Sequence, residues 1–188
     1  MKNFYCQLDY ENIAYPSPTT GFGNIANNGC GPCSASMVIE YMLDIPFPPE
    51  ASAQFGVECG ARAPVGTNFY IYAEEMAKKF GLKVRDTEDA AEAKAFLEEK
   101  RGLIIANTYG DRPEDGYIGV FSNSGHYIVL AALEGDQVMV WDPMYRPGRF
   151  DIPGRAGKVR MDGFDAWADF SVIVEDCRNR PFFLFEKI

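Results

Sequence analysis

Cys30 and Cys33 enclose the tetrad Cys-Gly-Pro-Cys, and a cysteine thiolate is the strongest nucleophile among protein side chains. Two different chemistries use such residues. One is a dithiol redox centre, and the other is a single nucleophilic thiolate whose partners lie elsewhere in the chain. The second chemistry needs a general base, and His126 is the one histidine of the sequence.

The segment that begins at Cys30 has the pattern of a helix. Apolar residues follow Ser34 at helical spacing, and the Pro-containing run at residues 45–49 ends the pattern. At a helix N-terminus, free N–H groups and the helix dipole lower the pKa of a thiol, so Cys30 is a candidate nucleophile. Cys33 would lie one turn further, and we interpret it as a packing residue or as the partner of Cys30 in a strained regulatory disulfide.

His126 begins a predicted strand, and a second predicted strand ends just before Asp142. A tight loop at residues 134–136 joins the two strands, which places the start of the first beside the end of the second. Asp142 would therefore lie next to His126, where a carboxylate fixes the tautomer of an imidazole and stabilises its charged form. We predict Cys30 as nucleophile, His126 as base and Asp142 as the residue that orients the base.

The cysteines suggest two other uses, a redox centre and a zinc site. A redox protein of the thioredoxin type needs a buried strand that leads into its Cys-x-x-Cys motif, and residues 15–29 contain no such apolar run. A zinc site made from Cys30, Cys33, Cys59 and His126 would lack the second closely spaced ligand pair of typical zinc motifs. Both remain weaker alternatives.

The elements that must position these residues are of two kinds, because the apolar residues have helical spacing in the first part of the chain and form strand-like runs in the later part. After the helix at Cys30, two further helices are predicted, one capped by Thr67 and ended by Gly81, the other opened by Thr87 or Asp89. The later part of the chain then predicts strands at residues 103–108, 126–133, 137–142, 171–174 and 182–185, with a short helix at 164–170. Helices first and antiparallel strands later indicate the α+β class.

Composition predicts one domain over residues 1–188. The chain is 47% hydrophobic, enough for a full core, and its net charge of -9 argues against a nucleic-acid partner. No apolar run approaches the roughly 20 residues of a membrane span. Asp9 and Glu11 interrupt any signal-peptide core, so we expect a cytoplasmic location.

The segments "NIANNGCGPCSASMVIEYM" and "GHYIVLAALEGDQVMVWDP" resemble papain-like cysteine peptidases. Within that fold they are similar to the bacteriocin-processing, double-glycine leader peptidases and their stand-alone relatives. The resemblance implies an N-terminal helix that bears Cys30, packed against an antiparallel sheet that bears His126 and Asp142. It also implies a peptide or amide substrate and no metal or organic cofactor.

The resemblance further implies a glutamine that helps to hold the oxyanion of the reaction. Gln7 matches a Gln-x-Asp segment of the stand-alone relatives, whereas Asn24 occupies the position that a glutamine has in closer ones. We therefore assign this role to Gln7 and keep Asn24 as the alternative. A papain-like domain that binds peptides without cleaving them is the remaining alternative, because a fold alone does not establish activity.

Overall fold

Residues 3–188 are described by a computed structural model, in which one antiparallel sheet separates two layers of helices. A 3-10 turn, Gln7–Asp9, precedes the first helix. The elements then follow in the order α1 (Ile25–Asn28), α2 (Cys30–Leu43), α3 (Pro49–Glu58), α4 (Phe69–Phe80), β1 (Leu82–Thr87), α5 (Ala90–Glu98), β2 (Gly102–Thr108), β3 (His126–Glu134), β4 (Gln137–Trp141), β5 (Val159–Asp162), β6 (Asp165–Asp169), α6 (Phe170–Cys177) and β7 (Phe182–Lys187).

The sheet has the strand order β1-β7-β2-β3-β4-β6-β5, and its neighbouring strands are antiparallel. Helices cover both faces at the centre of the sheet, and successive side chains of a strand point to opposite faces. Leu103 and Ile105 of β2 join the apolar cluster that contains α2 and α4, whereas Ile104 and Ala106 join the cluster that contains α5 and α6. The architecture confirms the predicted α+β class.

Helix α2 is buried on nearly every side, which is typical of a helix in the interior of a domain. It packs along β3, where the Ser34 hydroxyl donates to the carbonyl of Tyr127 at 3.2 Å. Gly29 joins it to α1 at a point of close approach: an added Cβ would lie 2.6 Å from the carbonyl oxygen of Ile25. This junction sets the start of α2, and so the position of Cys30.

The β3–β4 hairpin has the predicted boundaries to within one residue. Gly135 has a φ of +61° in its tight turn, and Val129 pairs with Trp141 at the far end. The sequence predicts strands at residues 126–133 and 137–142 because both segments contain long apolar runs and a turn signal separates them. The hairpin carries His126 at one terminus and leads directly into Asp142.

Several other boundaries are as predicted. Asp89 caps α5 by accepting hydrogen bonds from two backbone N–H groups, and Gly81 ends α4 with a φ of +67°. The N-cap of α4 is Asn68, one residue after the predicted Thr67.

Two predictions near the C-terminus are wrong. The expected helix at residues 164–170 is largely strand β6, which pairs with both β4 and β5. The expected strand at residues 171–174 lies inside α6, because Asp169 caps that helix by accepting from the backbone N–H of Ser171 at 2.9 Å. Pairing with β4 and with the hairpin partner β5 decides the first case, and a local cap decides the second. Helix α3 and strands β1 and β5 were not predicted.

Candidate active site

A cavity of about 300 Å³ lies between the N-terminus of α2 and the beginning of β3. Cys30 and His126 both line it, and the other lining residues are Gln7, Leu8, Ala26, Asn27, Ser122, Asn123, Ser124, Gly125, Met144 and Arg149. A larger cavity, of about 460 Å³, lies at the opposite ends of β2 and β3. None of the described residues that line the larger cavity is a cysteine or a histidine.

His126 and Asp142 are joined by a buried hydrogen bond. The imidazole Nε2 lies 2.7 Å from the Oδ1 atom of Asp142, and both side chains are almost fully shielded from solvent. Because Asp142 occupies Nε2, Nδ1 is the ring nitrogen that remains for a second partner. The structure therefore brings these two residues together beside the cavity that contains Cys30.

Asp142 is held by both of its carboxylate oxygens. Oδ1 also accepts from the backbone N–H of Met144 at 2.8 Å, and Oδ2 accepts from Nε of Arg149 at 2.7 Å. Burial alone would raise the pKa of this carboxyl, but His126, Arg149 and the Met144 N–H outweigh burial and lower it. Sequence reasoning missed Arg149, since nothing in the loop after Asp142 indicates which side chain turns back toward it.

The electrostatics of the site favour a charged pair of Cys30 and His126. Burial opposes ionisation of Cys30, but its hydrogen bond to His126, the charge of His126 and the N–H groups of Tyr127 and Gly31 together lower the thiol pKa. Burial likewise opposes charge on His126, yet the Asp142 carboxylate and the Cys30 sulfur raise the imidazole pKa to about 9. Each group therefore favours the charged form of the other, as in a thiolate–imidazolium pair.

Gln7 lines the cavity, and a backbone hydrogen bond holds it in place. Its N–H donates to the carbonyl of Pro143, directly after Asp142, at 2.7 Å. The side-chain Nε2 donates one hydrogen to the carbonyl of Ala26 at 2.7 Å, which leaves its second hydrogen unassigned. The buried Oε1 has no hydrogen-bond partner among residues 3–188.

Asn24 is used elsewhere. Its Oδ1 accepts from the N–H of Asn27 at 3.0 Å and thereby caps α1, while its Nδ2 donates to the carbonyl of Glu11 at 2.8 Å. Both ends of the amide are engaged in local structure, and Asn24 does not line the cavity. Of the two candidates for the oxyanion, Gln7 is the one that faces the site.

Cys33 is fully buried, in a small cluster with Tyr15, Ile25 and Ala53. Burial raises its pKa well above the ordinary thiol value, so Cys33 stays protonated. All five cysteines are free thiols, and a disulfide between Cys30 and Cys33 stays a prediction. No strand leads into Cys30, because α1 precedes it.

The described part of the chain contains neither a metal-binding cluster nor a helix that could span a membrane. Across residues 3–188, no cluster of three or more His, Cys, Asp or Glu side chains has a metal-binding arrangement. Over the same range, no helix combines the length and the apolar character of a membrane span.

A cysteine at the start of a leading helix, packed against an antiparallel sheet that carries an imidazole and a carboxylate, is the arrangement of the papain-like class of fold. Residues 4–151 match the model of the Peptidase_C39 like family, and the chain belongs to that family. The family and the fold support a cysteine peptidase, as the sequence resemblance had indicated.

Solved structures agree with this assignment of the fold. The chain is similar to a C39-like peptidase from Bacillus anthracis, with a TM-score of 0.59 and 13% identity over 99% of this chain and 94% of that one. It is also similar to the peptidase domain of Streptococcus ComA, a bi-functional ABC transporter of a quorum-sensing pathway. That match has a TM-score of 0.56 and 13% identity over 86% of this chain and 93% of the other.

One curated protein matches part of the chain. A stretch of the highly reducing polyketide synthase anuA of Penicillium roqueforti (strain FM164) is 32% identical over 103 residues. The match covers 50% of this chain and 5% of the synthase, so the chain spans only a small fraction of that protein.

Proposed function

We propose that this protein is a cysteine peptidase, or a related amide hydrolase, that acts through an acyl-enzyme on Cys30. The observation that carries the proposal is the 2.7 Å bond between His126 and Asp142 at the border of the cavity that Cys30 lines. Nucleophile, base and orienting carboxylate come from three separate segments, α2, β3 and the loop after β4. Such a set is recognised by its geometry rather than by its order in the chain.

In the first half of the reaction, the Cys30 thiolate attacks the carbonyl carbon of the scissile amide and a C–S bond forms. The carbonyl oxygen becomes an oxyanion, to which the Cys30 N–H and the remaining N–H of Gln7 donate. The imidazolium of His126 gives a proton from Nδ1 to the amide nitrogen, the C–N bond breaks, and the amine leaves. Asp142 stabilises the charged imidazole throughout.

In the second half, His126 removes a proton from water, and the resulting hydroxide attacks the thioester carbon. The C–S bond breaks, the acid product leaves, and the thiolate and imidazolium are restored. These side chains and one water molecule account for every atom and proton of the cycle.

Alkylation by iodoacetamide tests the site without knowledge of the natural substrate. At pH 6 we expect Cys30 to react at least about tenfold faster than the half-buried Cys59, because only Cys30 has a lowered pKa. In His126→Ala the advantage should disappear. Mass spectrometry of the labelled peptides measures both rates in the same sample.

Hydrolysis of a fluorogenic peptide mixture separates a peptidase from a domain that only binds peptides. Cys30→Ala should abolish hydrolysis, while Cys59→Ala should leave it unchanged. A Cys30 thiol that reacts no faster than Cys59 would overturn the proposal. Fast labelling of Cys30 without any hydrolysis would favour the inert alternative.

A further inference from the structure

Arg149 connects the carboxylate of Asp142 to a wall of the candidate active site. We infer that Arg149 is a positioning residue that fixes Asp142 and the cleft wall at residues 122–125 through one guanidinium group. The inference rests on the proposed function and adds to it a residue that sets the pH range and the substrate fit of the site.

Arg149 donates to two acceptors from separate segments of the chain. Nε donates to Oδ2 of Asp142 at 2.7 Å, and Nη2 donates to the carbonyl oxygen of Phe121. The guanidinium is largely buried, with 12% of the side chain exposed. A planar group with several fixed donors is suited to hold two acceptors at once, which the single ammonium of a lysine does less well.

The segment that Arg149 holds forms part of the cavity. Residues 122–125 follow Phe121, line the cavity, and lead directly into His126. Two other groups hold the same loop. Asp176 accepts from the N–H groups of Val120 and Phe121 at 2.8 Å each, and Arg155 donates to the carbonyl of Gly119 at 2.8 Å and to Asn123. Arg149 is the residue of the three that also contacts Asp142.

Neutral and charged side chains surround the Cys30, His126 and Asp142 group. The titratable neighbours with raised pKa values, which leave them neutral below about pH 9, are Tyr15, Tyr127, Cys6 and Cys33. The cations nearby are Arg149, in contact with Asp142, Arg155, which acts on Asp142 only at a distance, and Arg180, which donates to the carbonyl of Thr108, the strand partner of His126. Arg155 is therefore a matched control, since it is buried and holds the same loop without a hydrogen bond to the carboxylate.

Removal of the Arg149 charge has a defined sign. The cation offsets part of the negative charge of Asp142, so its loss makes the surroundings of Cys30 more negative. A more negative environment raises the pKa of a thiol, and the pH at which Cys30 becomes half ionised must increase. Loss of the Phe121 contact, in contrast, loosens the wall without any change of charge.

The experiment measures the pH dependence of Cys30 alkylation by iodoacetamide in the full-length wild-type protein and in Arg149→Met, Arg149→Lys and Arg155→Met. In Arg149→Met we expect the midpoint of the acid limb to rise by about half a pH unit or more. Arg149→Lys should keep the wild-type midpoint, and Arg155→Met should shift it by less than half as much as Arg149→Met. With a cleaved fluorogenic peptide, KM should increase in all three variants.

Each outcome is decisive. An Arg149→Met midpoint equal to that of the wild type, or a shift equally large in Arg155→Met, overturns the inference. If Arg149→Met does not fold, Arg149→Lys decides, because a wild-type KM in that variant would show that the wall does not depend on Arg149. If wild-type Cys30 itself shows no enhanced reactivity, the proposed function fails, which is a different result.

Discussion

At the scale of single residues, the site depends on which side chains are free to face the cavity. Gln7 and Asn24 were both candidates for the oxyanion, and they carry the same functional group. Both ends of the Asn24 amide are hydrogen-bonded, to the N-terminus of α1 and to the carbonyl of Glu11. The amide of Gln7 borders the cavity, and one of its two N–H hydrogens is not used by the carbonyl of Ala26. The sequence pattern does not distinguish the two residues, because the position of Gln7 depends on the hydrogen bond from its backbone N–H to the carbonyl of Pro143, far away in the chain.

Gln7→Ala should lower kcat for peptide hydrolysis by about 10²- to 10³-fold, the usual cost of one oxyanion donor. The same variant should keep the wild-type rate of Cys30 alkylation by iodoacetamide, since that displacement forms no oxyanion. Steady-state kinetics and labelling of one protein sample give both values.

Asn24→Ala is the matched control for that change. It should leave kcat unchanged and cost about 0.5–2 kcal/mol of unfolding free energy through loss of the helix cap. A large loss of kcat in Asn24→Ala, with none in Gln7→Ala, would reverse the two roles.

At the scale of elements, the start of α2 and the β3–β4 hairpin determine the site. Both were readable in the sequence because their signals are local: helical spacing after Cys30, and two apolar runs around Gly135. Asp142 lies near His126 for the same reason, as the hairpin geometry requires it. Arg149 could not be predicted, since its partners Asp142 and Phe121 are reached through loops without a periodic pattern.

The missed elements have physical explanations too. Helix α2 ends at Leu43 with Asp44 in the left-handed conformation, just before the proline-containing run at residues 45–49. Pro48 and Pro49 of that run begin α3 as its N-cap and first residue, a second role that the pattern of a helix end does not indicate. Strand β6 alternates small Ala166 and Ala168 with half-exposed residues, a weak apolar signal whose strand character comes from its two neighbours. Local pattern therefore predicted the centre of the sheet better than its edge.

The junction at Gly29 gives a prediction for α2. Gly29→Ala would place a Cβ 2.4 Å from Cγ2 and 2.6 Å from the carbonyl oxygen of Ile25, so the backbone must move. We expect a loss of about 1–3 kcal/mol in stability and slower alkylation of Cys30, because the first turn of α2 shifts. Urea unfolding and iodoacetamide labelling measure the two effects.

Gly56→Ala provides the comparison. Its Cβ would lie 3.0 Å from the hydroxyl of Tyr15 and 3.0 Å from Cε2 of Tyr72, a crowded position within α3. It should reduce stability while Cys30 keeps its reactivity. Unchanged labelling in Gly29→Ala would show that the junction does not position the thiol.

At the scale of the whole molecule, the cleft draws on both layers of the fold. Helix α2 belongs to one apolar cluster, whereas Val120 and Phe121, just before the cleft wall, belong to the other. His126 lies on the sheet between them. The ionisation of the site contributes to the stability of the fold, because the pKa values of His126 and Cys30 change on folding.

The linkage predicts how stability varies with pH. The His126 pKa rises from 6.5 to about 9 on folding, so its contribution is present below pH 6.5 and is lost as pH rises through 9. Cys30 has a lowered pKa, so its contribution is present above the ordinary thiol value of 9 and is lost as pH falls through the folded value. Where both groups are charged in the folded protein, the two slopes cancel.

Cys30→Ala removes one side of this balance. Between pH 6.5 and 9 its unfolding free energy should fall, relative to the wild type, by about 1 kcal/mol, because Asp142 still raises the His126 pKa although the contribution of Cys30 to that shift is lost. Urea midpoints at both pH values, with Cys59→Ala measured in parallel, give the difference. A variant that tracks the wild type across this range would argue against a charged pair.

The bond from Nε2 of His126 to Asp142 has a practical consequence for spectroscopy. Because the chain has a single histidine, ¹⁵N-labelled protein gives one set of imidazole resonances and needs no assignment by mutagenesis. The nitrogen bound to Asp142 should keep its hydrogen at every pH, while the other nitrogen alone reports deprotonation. One titration series on the unmodified protein would thus report the tautomer of His126 and its protonation state at each pH. The same resonances would report the binding of an inhibitor to the sulfur of Cys30.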